Sequence, residues 1–179
     1  MVRQNWRIWR AGADIDLLTE RTKDLKLDRA STFGGDTDTH RKSHVAWLHE
    51  VDNATLFHLF KFAKDFADVT SIEIMCRADI QYTEYHSIEG GKYDWHHDID
   101  WNRNDGWDRK ISVTVQMSDP DEYEGGDFAM GDGQEPLPDW HKEKGTVLLF
   151  PSYIVHRVAP VTSGVRKSLV AWFEGPTWR

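Results

Sequence analysis

From residue 71 onward every patterned stretch of this chain is strand-sized. "SIEIMC", "DIQYTEY", "KYDWHHDID", "KISVTVQM", "GDFAMG", "GTVLLFP", "IVHRVAPV" and "RKSLVAWFE" are short runs separated by Gly, Pro, Asp and Asn. Strands at this spacing, after a helical N-terminal part, suggest a sandwich or a jelly-roll barrel. Pro151 and Pro160 fall at or near run ends, where a missing N–H does little harm. "VTSGV" reads as a turn at Thr162, Ser163 and Gly164 between two strands.

The first 70 residues read differently. "DIDLLTERTKDL" predicts a short helix, and "ASTFGGDTDTH" (30–40) a loop or flap whose glycines suit movement. "HVAWLHEV" alternates like a strand. "NATLFHLFKFAKDFA" places Leu56, Leu59, Phe60, Ala63 and Phe66 at helical spacing, with Asn53 as N-cap. Phe57 and Phe62 lie off that stripe. His58 reads as a surface or packing residue, and Trp6, Trp9 and Trp47 as packing. At 179 residues the expectation is one domain, with 1–70 as support and 71–179 as the β core.

The net charge of −8 argues against broad binding to nucleic-acid phosphates. Cys76 is the single cysteine, so no internal disulfide and no cysteine-rich zinc site can form. The start, "MVRQNWRIWRAG", has basic residues with no apolar run behind them, unlike a signal peptide. No stretch approaches the ~20 apolar residues that span a bilayer. A cytoplasmic protein with no membrane partner is expected.

Chemistry concentrates in "YDWHHDID". Read as a strand, His96 and Asp98 share one face and His97 points to the other. An imidazole and a carboxylate can grip one divalent metal, and His156 in "PSYIVHRVAPV" is a third ligand that a jelly roll can bring alongside. Two His and one carboxylate on one face leave open positions, which suits non-heme Fe(II). A second His-x-acid match, His141 to Glu143, lies in "EPLPDWHKEKG", which reads as a solvated loop. Beyond His156, Arg166, Ser168, Val170 and Trp172 share a face. An inward Arg166 needs an anion, and a guanidinium matches a carboxylate. The opposite phase would turn Lys167 inward instead, and alternation alone leaves both open.

"YDWHHD", "YEGGDF" and "GTVLLFPSYIVHRVAPVTSGVRKSLVAW", in that order, resemble the iron(II)- and 2-oxoglutarate-dependent dioxygenases, specifically the prolyl 4-hydroxylase-like branch and its small microbial and phage members. The resemblance covers residues 80 to 174. It implies a double-stranded β-helix, with His96, Asp98 and His156 as iron ligands and Arg166, ten positions after His156, binding the distal carboxylate of 2-oxoglutarate with Ser168 as helper. Tyr93 and Tyr85 match co-substrate positions. Ideal alternation places Tyr93 opposite His96, so a bulge or bend is required there. Gly125 and Gly126 read as a turn permitting positive φ.

The implied activity is hydroxylation of an unactivated C–H bond with O2, releasing succinate and CO2, with ascorbate as a possible reductant. Asp98 argues against halogenation, since related halogenases lack that carboxylate. The branch favours a peptidyl proline. A free amino acid or another small molecule is the alternative, and "IDWNRNDGWDRK" offers Trp101, Arg103 and Trp107 as substrate contacts. Rival readings are a zinc hydrolase, which would have no use for Arg166, a nucleic-acid demethylase, which the acidic balance disfavours, and a non-catalytic jelly-roll binding module.

Overall fold

The computed structural model describes residues 5–31, 37–48, 53–131 and 136–178. The elements in chain order are β1 (Arg7–Trp9), α1 (Ile15–Thr22), β2 (Asp28–Arg29), α2 (Thr37–His40), β3 (Arg41–Lys42), β4 (His44–Trp47), α3 (Asn53–Thr70), β5 (Ala78–His86), β6 (Lys92–His96), β7 (Trp107–Gln116), β8 (Tyr123–Gly125), β9 (Phe128–Met130), β10 (Val147–Pro151), β11 (His156–Val158) and β12 (Val161–Pro176). They form a large antiparallel sheet in the order β1-β10-β7-β12-β5-β4-β2, with β8 also on β12, and a small sheet in the order β3-β6-β11-β9. The protein is mainly β with N-terminal helices, as the sequence predicts.

Strand alternation explains how the layers stack. On β12, Leu169, Ala171 and Phe173 are buried on one face; on β7, Ile111, Val113 and Val115 match them. These residues form one apolar cluster with Leu59, Ala63, Phe66 and Ala67 of α3, and with Leu18 of α1. Gln81, Thr83, Ser112, Gln116, Arg166 and Ser168 take the alternate positions, and they too are buried. Polar residues do not stay buried on a sheet face unless something polar is enclosed there. The small sheet covers that face and makes a chamber.

Several expectations are corrected. "SIEIMC" is an extended connector, not a strand: Met75 N–H donates to Glu174 O (2.8 Å) while Ile72 and Ile74 pack on the core. Thr162, Ser163 and Gly164 are not a turn between strands but lie inside the long β12. There Gly164 has φ 67°, and an added Cβ would sit 2.0 Å from Glu122 O, so glycine lets β8 approach β12. Asn53 is the first residue of α3 rather than a cap. His141 is in a short 3₁₀ turn and half-buried, with its Nδ1 on Pro138 O (2.9 Å), not in a solvated loop. Of the 30–40 flap, residues 32–36 lie outside the described residues, and the stretch after them forms α2.

The short helix expected in "DIDLLTERTKDL" forms as α1, and Asp14 caps it through Leu17 N–H (3.0 Å). His58 packs, accepting from Asp14 N–H at 3.0 Å and meeting Phe62 edge-on. Gly125 and Gly126 have φ of 72° and 62°. No helix among the described residues is long and apolar enough to cross a membrane.

Candidate active site

The small sheet brings the two distant histidines together. β11 pairs antiparallel with β6 so that His156 sits opposite His96, with ring centroids 4.2 Å apart. β6 ends at His96, and the chain bends so that Asp98 N–H donates to Ser152 O (2.9 Å). Ser112, from β7 of the large sheet, donates its hydroxyl to Asp98 Oδ2 at 2.6 Å. Each imidazole is oriented the same way. His96 Nδ1 lies 2.7 Å from Asp94 O and His156 Nδ1 2.9 Å from Ile154 O. Carbonyls only accept, so each Nδ1 carries a proton, and in the neutral ring that tautomer leaves the Nε2 lone pair free. Both Nε2 atoms point at Asp98, 3.5 Å from its two oxygens. The three donor atoms lie within 4.8 Å of one another.

Electrostatics favour the metal-ready state. Burial pushes the Asp98 carboxyl up, but His156, His96 and the Ser112 hydroxyl outweigh it and hold it well below the usual range. Burial pushes His156 down to about 4, against the pull of Asp98, so its ring is neutral at physiological pH. Two imidazoles and an anionic carboxylate on one face fit a divalent ion with open coordination positions.

Across the chamber, Arg166 faces inward and is 4% exposed, which decides the phase of β12 in its favour over Lys167. Among the described residues it makes no ion pair or hydrogen bond. Its cation lies 5.6 Å from the ring centre of Tyr85, its direct partner across β5 and β12. Ser168 lines the same wall. An enclosed guanidinium without an anion is costly, and a carboxylate-bearing co-substrate supplies one.

Tyr93 reaches the chamber through the bulge that its position requires. Tyr93 stands three positions before His96 on β6, whereas their partners Val158 and His156 are two positions apart on β11. Its ring stacks on His96 with centroids 3.4 Å apart, and burial pushes its phenol up to about 12, so the hydroxyl keeps its proton.

The three loop residues separate. Trp101 is 61% exposed and lies edge-on to His97. Arg103 is held by Glu174 and, bidentately at 2.9 Å, by Asp105. Trp107 opens β7 opposite Pro176. Sequence reasoning missed Arg41, Gln81, Thr83, Ser112 and Thr114, which also line or brace the chamber. Gln81, Thr83 and Tyr85 alternate in "DIQYTEY", but the same pattern describes a solvated sheet face.

Known proteins bear out the class. The family model of the 2OG-Fe(II) oxygenase superfamily matches residues 80–174, and the chain belongs to that family, whose chemistry implies Fe(II) and 2-oxoglutarate. Within it, the chain is similar to two PKHD-type hydroxylases. One, of Synechococcus sp. strain CC9605, is 40% identical over 88 residues, covering 49% of this chain and 39% of the relative. The other, YbiX of Escherichia coli, is 31% identical over 142 residues, covering 76% and 58%. The chain thus spans roughly half the length of these relatives. In fold it resembles a Pseudomonas putida prolyl-4-hydroxylase, with TM-score 0.74, 20% identity, and 97% and 94% of the two chains covered. It also resembles a viral collagen prolyl hydroxylase from Paramecium bursaria Chlorella virus-1, with TM-score 0.70, 18% identity and 97% of each chain covered. Such oxygenases have the double-stranded β-helix, and the two facing sheets here are that fold.

Proposed function

We propose that this chain is an Fe(II)- and 2-oxoglutarate-dependent hydroxylase acting on an unactivated C–H bond, with a peptidyl proline as the leading substrate. The observation that carries the reading is the pairing, in one chamber, of the His96, Asp98 and His156 donors with a buried Arg166 that meets no anion among the described residues. A zinc hydrolase has no use for that guanidinium. The structural likeness to prolyl hydroxylases supports the substrate.

His96, Asp98 and His156 would hold the metal, with Ser112 fixing the carboxylate. Arg166 and Ser168 would take the distal carboxylate of 2-oxoglutarate, and the protonated Tyr93, with Tyr85, would donate hydrogen bonds to it. The chemistry supplied at the loaded metal is oxidative decarboxylation of 2-oxoglutarate by O2 to succinate and CO2, coupled to hydroxylation of the substrate C–H. No side chain has to act as a general base; the chain orients and encloses the reactants. Ascorbate would keep the iron reduced. In the loop after Asp98, the exposed Trp101 would be a substrate contact, with Arg103 and Trp107 as further candidates in the same stretch. Residues 1–179 would work as one dioxygenase domain, with 1–70 bracing the large sheet. The exposed thiol of Cys76 favours a reducing, cytoplasmic setting.

The test is succinate formation from 2-oxoglutarate with Fe(II), ascorbate and air, with and without a proline-rich peptide, and with His156→Ala as control. Turnover that rises with peptide and vanishes in the variant supports the reading. Slow turnover indifferent to peptide, still lost in the variant, keeps the oxygenase and removes that substrate. Absence of succinate and of Fe(II) or 2-oxoglutarate binding leaves a binding module.

A further inference from the structure

The chamber holds a second buried guanidinium that the co-substrate does not need. Arg41, on β3, is 8% exposed and stands where the inner chamber opens into an outer cleft. Neutral groups hold it: its Nε donates to Ser43 Oγ and an Nη to Gln81 Oε1, each at 2.8 Å. Its cation lies 4.5 Å from the Tyr93 ring centre. No carboxylate among the described residues is in ion-pair contact with it.

A second donor converges on the same opening. The indole N–H of Trp172, a residue 6% exposed, is buried with no acceptor, and Trp172 lines both the chamber and the cleft. Gln81 Oε1, on the same wall, is already taken by Arg41 and by the Thr83 hydroxyl (3.2 Å). Arg109 covers the Trp172 ring at 4.1 Å and is paired with Asp79 at 3.0 Å, so that carboxylate is engaged by a guanidinium of its own. Among the described residues the one carboxylate lining both the chamber and the cleft is Asp98, which faces the two imidazoles; the Arg41 cation and the Trp172 N–H are left complementary to a group that only accepts and carries negative charge. A carboxylate is such a group; an internal peptide unit is neutral and offers a single carbonyl.

We infer that the opening of the chamber selects substrates with a free carboxylate close to the hydroxylated carbon, held by Arg41 and the Trp172 N–H: a free or N-acylated amino acid, or the C-terminal residue of a peptide. This rests on the oxygenase reading and sharpens its substrate from a residue within a chain to one at its carboxyl end.

The test uses full-length protein loaded with Mn(II), which does not turn over, and 2-oxoglutarate. N-acetyl-L-proline and N-acetyl-L-prolinamide are titrated calorimetrically, as are a proline-terminated tripeptide and its amide. The acids are expected to bind about tenfold or more tighter than the amides, with the gap shrinking to about threefold or less in Arg41→Gln and partly restored in Arg41→Lys. The affinity for 2-oxoglutarate, measured in each protein, reports whether the chamber is intact. Acids and amides binding alike, or neither binding while 2-oxoglutarate binds normally, overturns the carboxylate selection and leaves the oxygenase standing. Loss of 2-oxoglutarate binding in Arg41→Gln, without a selective loss of acid, assigns Arg41 to the co-substrate and overturns it as well. A wild-type protein that binds no 2-oxoglutarate at all strikes down both readings.

Discussion

Arg166 is a residue the fold carries for something other than its own stability. Enclosed and with no anion beside it among the described residues, it is expected to destabilise the ligand-free chain, and a hydrophobic replacement of similar length to relieve that. Arg166→Met is therefore expected to leave the ligand-free melting temperature unchanged or higher while weakening 2-oxoglutarate binding by roughly 100-fold, since a charge-assisted bidentate contact is lost. A 2-oxoglutarate titration that shifts by less than about threefold would remove Arg166 from the co-substrate site. Ser112 would act one step back from a metal held by Asp98. Its hydroxyl is the hydrogen bond that turns Asp98 Oδ2, so Ser112→Ala should weaken Mn(II) binding by about tenfold with little change in fold. Equal affinity in the two proteins would mean that Ser152 and the two imidazoles suffice to orient the carboxylate.

Among the elements, β12 sets the geometry. It pairs with β5 and β7 along its length and accepts β8 near its start. Its alternation sends Leu169, Ala171 and Phe173 to the helices, and Arg166, Ser168 and Trp172 to the chamber. The approach of β8 depends on Gly164, whose positive φ and lack of Cβ admit the Glu122 carbonyl. Gly164→Ala should lower stability by about 2 kcal/mol or more, read as a drop in the denaturant midpoint. An unchanged midpoint would show that β8 can draw back at no cost. α3 is the opposite case, a plain amphipathic helix: Leu59 is fully buried in the main core. Leu59→Ala should cost about 2–5 kcal/mol, with the metal site of the surviving folded fraction unaltered.

At the scale of the molecule, buried imidazoles set the acid limb of stability. Burial lowers His58, His141 and His156 below the ordinary value of 6.5, His156 to about 4. The unfolded chain accepts protons there that the folded chain refuses. The stabilisation is thus complete above about pH 6.5 and is lost as the pH falls towards 4. Metal-free protein should therefore show a melting temperature that declines through that interval. A flat profile from pH 7 to 4.5 would mean that these histidines take up protons without loss of packing.

The sequence by itself determined the class of fold, the helix over α3 and the set of residues able to hold a metal. Strand-length alternation and helical spacing are local properties, and His-x-Asp, a later His and an Arg ten positions on are visible in one dimension. Only the tertiary structure decided which side of each strand is enclosed. Alternation groups Arg166 with Ser168 and Trp172, or Lys167 with its own neighbours, but the covering sheet that buries one set comes from distant segments. The same holds for Tyr93, which a bulge against β11 turns toward His96, and for Arg41, which sequence inspection passed over because nothing near it in the chain is catalytic. "SIEIMC" had a strand's composition, yet Met75 N–H found Glu174 O instead of a sheet neighbour. Pairing partners and coverage depend on contacts between residues far apart in the chain, and no local pattern encodes them.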